Sequence, residues 1–169
     1  IRCSSKILFL RVVHVGSLAH FPDGAAAFAA KAAFAGLHAA ENTKNSLSKM
    51  IETSFAYGGA PIWKTANTVL EASEIRARVG GQQKMIELSG SDIPLRFSVC
   101  AQRKIGKRYA EAWQNTARVM QISSFIPALL CGDANIPIDF GSGCGTGLMN
   151  YHRKLWEDKI IDAAAQDLI

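Results

Sequence analysis

The sequence predicts an all-α fold, a short α-solenoid of stacked helical hairpins with about seven or eight helices. Alanine, the strongest helix former, is concentrated at 24–40, and helix formers are favoured along most of the chain. Large apolar residues recur at helical spacing, and no segment alternates apolar and polar residues over a strand length with convincing β-branched content. The 169 residues match one domain, and a composition of 49% hydrophobic and 20% charged residues excludes wholesale disorder.

Glycine, proline and capping residues divide the chain into these helices. The predicted helices lie at about 24–40, 42–57, 61–78, 82–89, 94–104, 107–124 and 148–168. Asn42 and Thr43 offer an N-cap for the second helix, and Pro61 is well placed to open the third. The breaks fall at Gly80-Gly81, Gly90 to Pro94, Pro127 and an open loop from Gly141 to Gly147.

A short motif recurs along the chain. Residues 49–54, Lys-Met-Ile-Glu-Thr-Ser, return as Lys-Met-Ile-Glu-Leu-Ser at 84–89, with a weaker copy at 119–124. The motif places Met50, Met85 and Met120 at two intervals of 35 residues. A helical pair at this period is typical of α-solenoids, in which each hairpin buries its apolar face on the next. We therefore expect the three methionines to be buried in equivalent second helices.

The stretch from Gly90 to Met120 resembles the pentatricopeptide repeat family. It has a Gly-to-Pro entry turn ending at Pro94, Phe97 in the first helix, Gly106 at the inter-helix turn, and Ala112-Trp113 in the second helix. The resemblance implies three degenerate helical-pair repeats at 22–127, an N-terminal segment at 1–21, and a Gly-rich loop with a C-terminal helix at 128–169, all in one domain. It also implies a protein without catalysis that binds a macromolecular partner.

In size, repeat type and basic character the chain is also similar to the small helical-repeat subunits of euglenozoan mitochondrial F1-ATPase. This resemblance implies a structural subunit of the ATP synthase head that docks on the F1 α-subunit in the mitochondrial matrix. It implies protein–protein interaction with no cofactor and no direct membrane insertion. The alternative is a short organellar RNA-binding protein of the mitoribosome or of RNA processing. Because the chain begins at Ile1, we expect either a removed leader or an incomplete sequence.

Nineteen Lys and Arg residues against fourteen Asp and Glu residues give a net charge of +5. Part of this excess concentrates in one predicted helical pair. The candidate docking residues are Arg96, Arg103, Lys104, Lys107 and Arg108. A solvated positive face, a docking surface for an acidic protein and an RNA contact all fit such a cluster.

Catalytic and metal-binding patterns are absent from the sequence. The four cysteines and four histidines are scattered, so we expect buried free thiols and no metal site. The segment from Ile138 to Gly147 looks like the Gly-rich first loop of methyltransferases, yet only 22 residues follow it. Glu71 and Glu74, at helical spacing, are expected on a solvated face rather than as an acid–base pair.

Overall fold

The computed structural model describes residues 7–11, 55–59, 61–62, 64–131 and 136–168. The described residues fall into two compact units, one drawn from 61–110 and 138–168, the other from 7–59 and 111–137. In chain order the elements are β1 (Ile7–Arg11), α1 (Val69–Val79), α2 (Gln82–Ser89), α3 (Ser98–Arg108), α4 (Ala110–Gln114), β2 (Thr116–Gln121), α5 (Ile122–Cys131), α6 (Phe140–Cys144), β3 (Met149–Asn150), β4 (Leu155–Trp156) and α7 (Asp158–Ala165).

The first unit packs α1, α2, α3 and α7 around one apolar core. In α1, Ala72, Ile75 and Val79 follow the three- and four-residue spacing that places side chains on one helical face. All three are buried. The other buried members of this core are Met85, Ile93, Val99, Cys100, Ile160, Ala163 and Ala164.

Left-handed glycines separate α1 from α2 and end α2. Gly80 and Gly81 have φ values of +112° and +101°, and Gly90 has +80°. Such values are strained for residues that carry a Cβ, which is why glycine occupies these three positions. The breaks predicted here are confirmed, and α2 has the predicted bounds of 82–89.

The second unit contains an antiparallel pair, β1 and β2. Ile7 lies opposite Gln121 and Phe9 opposite Val119, and the register shifts between Leu10 and Arg11. An adjoining apolar cluster brings together Met120, Phe125, Ala128 and Leu129, with Phe55, Ile122 and Ile136 packed against it. The rings of Phe55 and Phe125 are 5.8 Å apart.

Several helix predictions differ from the structure. The predicted helix at 107–124 is replaced by the end of α3, then α4, β2 and the start of α5. Gly106 lies inside α3 rather than at a turn, and Pro127 lies inside α5 rather than in a loop. The predicted helix at 148–168 is a short hairpin, β3 and β4, followed by α7. The predicted helix at 24–40 lies outside the described residues.

The prediction that all three repeated methionines lie in second helices is wrong for Met120, in the third copy. Met85 is buried in α2, as predicted, and Met120 is also buried. However, Met120 lies in strand β2, so it does not occupy the second helix of a hairpin. The physical reason is that β2 pairs with β1, more than a hundred residues away in the chain. Met50 lies outside the described residues, and the solenoid as a whole stays a prediction.

Within the described part of the chain, no helix combines the length and apolar character that crossing a membrane requires.

Candidate functional site

The five basic residues predicted to form a docking surface lie in different environments. Arg96 and Arg108 are exposed. Arg103 is only 2% exposed, so it belongs to the interior of the first unit. Lys104 donates to a backbone carbonyl and Lys107 to a carboxylate of the same unit. The structure therefore does not gather the five residues into one exposed patch.

Arg103 is the centre of a buried polar cluster. Its Nε donates to Glu74 Oε2 at 2.7 Å. Its Nη1 donates to the carbonyl oxygens of Ala164 at 2.9 Å and Gln166 at 2.8 Å. Both carbonyls are at the C-terminal end of α7, where the helix dipole favours a cation. Because a buried charge is tolerated only when it is paired and hydrogen-bonded, the cluster fixes α1, α3 and α7 to one another.

Glu74 is shared between two cations of α3. Lys107 Nζ donates to its Oε1 at 2.6 Å, while Arg103 holds Oε2. The hydrogen bond from Lys107, followed by those from Arg103, lowers the pKa of Glu74 against the opposing effect of its partial burial. The carboxylate is consequently held in its charged form, as a structural counter-ion and not as a proton acceptor poised near neutral pH.

A second arginine of α1 meets the same end of α7. Arg78 Nη1 donates to the carbonyl oxygens of Ala163 at 3.3 Å and Gln166 at 3.1 Å, and its Nη2 lies 2.5 Å from Asp167 Oδ2. This side chain borders an open cleft of about 480 Å³, which Lys159 and Asp162 also line. Nη1 and Nη2 of Arg78 therefore already donate to the end of α7 and to Asp167, and they hold α1 to that end of the helix.

The β3–β4 hairpin is built on two buried polar residues. Asn150 is 6% exposed and Glu157 is 7% exposed. Asn150 Nδ2 donates to Glu157 Oε2 at 2.8 Å, and its Oδ1 accepts from the backbone N–H groups of His152 and Arg153. The hydrogen bond from Asn150, with those of Arg153 and the backbone, lowers the pKa of Glu157 against the effect of burial.

The three described cysteines differ in exposure. Cys100 is buried, Cys144 is half-buried and Cys131 is exposed. Burial, with a smaller effect from the nearby Glu71 carboxylate, raises the pKa of Cys100 to about 12. A thiol with such a pKa is almost wholly protonated at neutral pH and is therefore a poor nucleophile. The predicted burial of free thiols holds for Cys100 and is wrong for Cys131.

The glycine-rich segment is not an open loop. Asp139 caps α6 by accepting from the backbone N–H of Ser142 at 2.9 Å. A Cβ on Gly143 would lie 2.5 Å from the side chain of Met149, and one on Gly147 would lie 3.0 Å from Phe97. These two glycines therefore allow close packing inside the first unit. The backbone of a cofactor-binding loop, in contrast, would stay accessible to its ligand.

Among the described residues, no group of three His, Cys, Asp or Glu side chains is placed to hold a metal ion. The polar clusters around Arg103 and Asn150 are the most completely bonded sites that these residues form. Both connect elements of the first unit, so their geometry is that of structural supports.

Comparison with known proteins gives one consistent family of relatives, although no family model matches the chain. Xylulose kinase 2 of Arabidopsis thaliana is 32% identical over 127 residues, which cover 75% of this chain and 23% of the relative. Xylulose kinase of Rattus norvegicus is 32% identical over 122 residues, covering 72% of this chain and 23% of the relative. A probable D-xylulose kinase A of Aspergillus fumigatus is 28% identical over 124 residues, covering 73% and 22%.

The match covers most of this chain, yet the chain spans less than a quarter of the length of these curated relatives. Plant, rodent and fungal proteins agree in name, and each of them is a kinase, hence an enzyme.

These relatives correct the functional expectations drawn from the sequence. The resemblance to pentatricopeptide proteins and to an F1-ATPase subunit is wrong, and so are the expected docking on the F1 α-subunit and the RNA-binding alternative. The expectation of a non-enzymatic structural subunit of the ATP synthase is also wrong. The physical reason is that alanine and methionine fill helical cores of many folds, so their recurrence does not specify a repeat. The mitochondrial location stays a prediction.

Sequence reasoning missed the residues that organise the two polar clusters. Glu74 was expected on a solvated face, yet it binds Arg103 and Lys107, and its neighbour Glu71 is only 8% exposed. Asn150 and Glu157 carried no motif at all. Their seven-residue separation becomes a contact only because a hairpin lies between them.

Proposed function

We propose that this chain forms part of a sugar kinase that acts on xylulose. The observation that carries the proposal is the 32% identity to xylulose kinase 2 of Arabidopsis thaliana across 75% of the chain. Rodent and fungal xylulose kinases support it over nearly the same share of the chain. The match spans under a quarter of each relative. We therefore propose that this chain supplies part of the folded framework of a kinase, and not a complete active site in the described residues.

Phosphoryl transfer by such an enzyme requires a rigid framework. A kinase transfers a phosphoryl group almost entirely by positioning its reactants and stabilising their charge. A misplacement of about 1 Å is enough to cost on the order of a hundredfold in rate. The cluster of Arg103 with Glu74 and the end of α7 fixes three helices by charge-assisted bonds. We infer that Arg103 acts as a positioning residue and does not touch the substrate.

A chimera tests the proposal. The residues of the Arabidopsis enzyme that match this chain are replaced by those of this chain, and xylulose-dependent consumption of ATP is measured. We expect a folded chimera that retains xylulose-dependent turnover. A chimera that unfolds cooperatively on heating, yet consumes ATP no faster with xylulose than without it, would contradict the proposal.

Two controls make the result specific. A chimera carrying Arg103→Met should lose thermal stability, and its folded fraction should turn over xylulose more slowly with an unchanged KM. A chimera carrying Lys84→Met, which removes an exposed ion pair to Glu87, should behave as the parent chimera does.

A further inference from the structure

The connector between α2 and α3, residues 90–97, has a strained backbone. Ile93 has a φ of +35° and is only 1% exposed. For a residue branched at Cβ a positive φ is an outlier, because the side chain crowds the backbone. Such a conformation persists only where the surrounding structure enforces it, and it clusters at active sites and ligand clamps.

Two side chains from α1 and its N-terminal boundary hold the connector on both sides of Ile93. Arg76 Nε donates to Asp92 Oδ1 at 2.6 Å, and Arg76 Nη2 lies 3.5 Å from the Asp92 carbonyl oxygen. The hydroxyl of Thr68, which is 0% exposed, donates to the carbonyl oxygen of Leu95. The strained residue therefore lies between two bonded backbone positions.

The ion pair between Arg76 and Asp92 lies close to the surface. The two side chains are 31% and 30% exposed, whereas that of Arg103 is 2% exposed. Ion pairs as accessible to water as this one contribute little to folding stability. The contact is thus suited to set the geometry of the connector more than to hold the unit together.

The braced stretch leads directly to an unpaired cation. Arg96 is exposed and, among the residues that the structure describes, has no hydrogen-bond or ion-pair partner. Four other arginines of the first unit are each paired with a carboxylate, namely Arg76, Arg78, Arg103 and Arg153. The guanidinium of Arg96 keeps its five N–H donors for a ligand.

We propose that Arg76 is a positioning residue of the proposed kinase. Through Asp92 it holds the strained connector, and with it the guanidinium of Arg96, in the geometry that the reactants require. A guanidinium donates to phosphate and to hydroxyl oxygens, and the reactants of a sugar kinase carry both. This inference rests on the proposed function.

The test uses the chimera in which this chain replaces the matching residues of the Arabidopsis enzyme. Arg76→Met removes the bond to Asp92 and keeps an apolar stem. We expect kcat/KM for xylulose to fall about tenfold or more, since a displacement of about 1 Å costs on the order of a hundredfold in rate. The melting temperature should stay close to that of the parent chimera, because the pair is accessible to water.

Separate KM values for xylulose and for ATP distinguish the two sources of ligand oxygen. A rise in the value for xylulose assigns the contact to the sugar hydroxyls, and a rise in the value for ATP assigns it to the phosphates. Lys84→Met removes an exposed ion pair of α2 that does not touch the connector, so it is the matched control and should keep the parent kcat/KM.

An exchange of charges shows whether Arg76 acts through Asp92. Arg76→Asp alone brings two carboxylates together and should lower kcat/KM at least as far as Arg76→Met does. Combined with Asp92→Arg, it restores the pair in reversed order, and most of the lost kcat/KM should return. A folded double variant that is no more active than Arg76→Asp alone would overturn the proposal.

Circular dichroism melts establish that each chimera is folded before its kinetics are compared. A parent chimera without xylulose-dependent turnover contradicts the proposed function and this inference with it. An active parent whose folded Arg76→Met variant keeps the parent kcat/KM contradicts this inference alone. A loss of kcat/KM that Lys84→Met reproduces would contradict it as well.

Discussion

The two buried polar clusters of the first unit, around Arg103 and Asn150, both consist of charge-assisted hydrogen bonds. They differ in how far apart in the sequence the bonded residues lie. Arg103 reaches Glu74 and Ala164 across 29 and 61 residues of sequence. Asn150 reaches Glu157 across seven residues, and its backbone partners are nearer still. The first cluster exists only when three helices have packed, whereas the second forms within one hairpin. The comparison teaches that equally complete hydrogen bonding can stabilise a tertiary contact in one case and a local turn in the other.

The largest expected effect is on the long-range cluster. Arg103→Met leaves Glu74 with one fewer cation and the Ala164 carbonyl without its side-chain donor, while the Gln166 carbonyl keeps the hydrogen bond from Arg78. Because three charge-assisted hydrogen bonds of a buried side chain are lost together, we expect a cost of about 3–5 kcal/mol in the free energy of unfolding. Urea denaturation followed by circular dichroism measures the loss. A change below about 1 kcal/mol would show that the cluster does not hold the helices together.

An apolar substitution provides a standard for that value. Met85→Ala removes a side chain that is 0% exposed in the core between α2 and its neighbours. Large-to-small changes of this kind cost about 2–5 kcal/mol, depending on how far the cavity collapses. The same urea titration is used. A smaller loss for Arg103→Met than for Met85→Ala would place apolar packing above the polar cluster in the stability of this unit.

The local cluster should be less sensitive. Asn150→Ala removes the acceptor of two backbone N–H groups and the donor to Glu157. We expect a loss of about 1–3 kcal/mol, since the groups left behind are partly able to reach water. Hydrogen exchange should show faster opening of the hairpin amides with α1 and α3 unaffected. Faster exchange throughout the unit would contradict the local origin of this cluster.

The smallest effect is that of pH. Hydrogen bonds lower the pKa values of Glu74 and Glu157 below the usual value of 4.5. A carboxyl with a lowered pKa stabilises the folded state above its unfolded pKa, and this stabilisation is lost as pH falls through the folded value. The urea midpoint should therefore fall as pH drops below about 4.5.

Glutamine variants separate the two contributions to this pH dependence. Glu157→Gln and Glu74→Gln should each make the acid-induced fall in stability shallower, because the removed group no longer titrates. The change should be smaller for Glu74, whose side chain is 33% exposed and partly screened by water. A pH profile identical to that of the parent in both variants would show that other carboxyls control acid sensitivity.

Local sequence signals determined a limited part of this protein. The helix at 82–89, its glycine boundaries and the burial of Met85 follow from residues close together in the chain. Helix propensity and the conformational freedom of glycine act over a few residues, so such features are readable without a structure.

Only the tertiary structure decided the rest. Strand β2 forms because β1 pairs with it. Arg103 can be buried because a carbonyl oxygen at the end of α7 accepts its hydrogen bond. In the sequence, Arg103 looks like its neighbours Lys104 and Lys107, and nothing local distinguishes a buried cation from a solvated one. The physical reason is that pairing, burial and counter-charge come from residues far away in the chain, which propensity and spacing do not register.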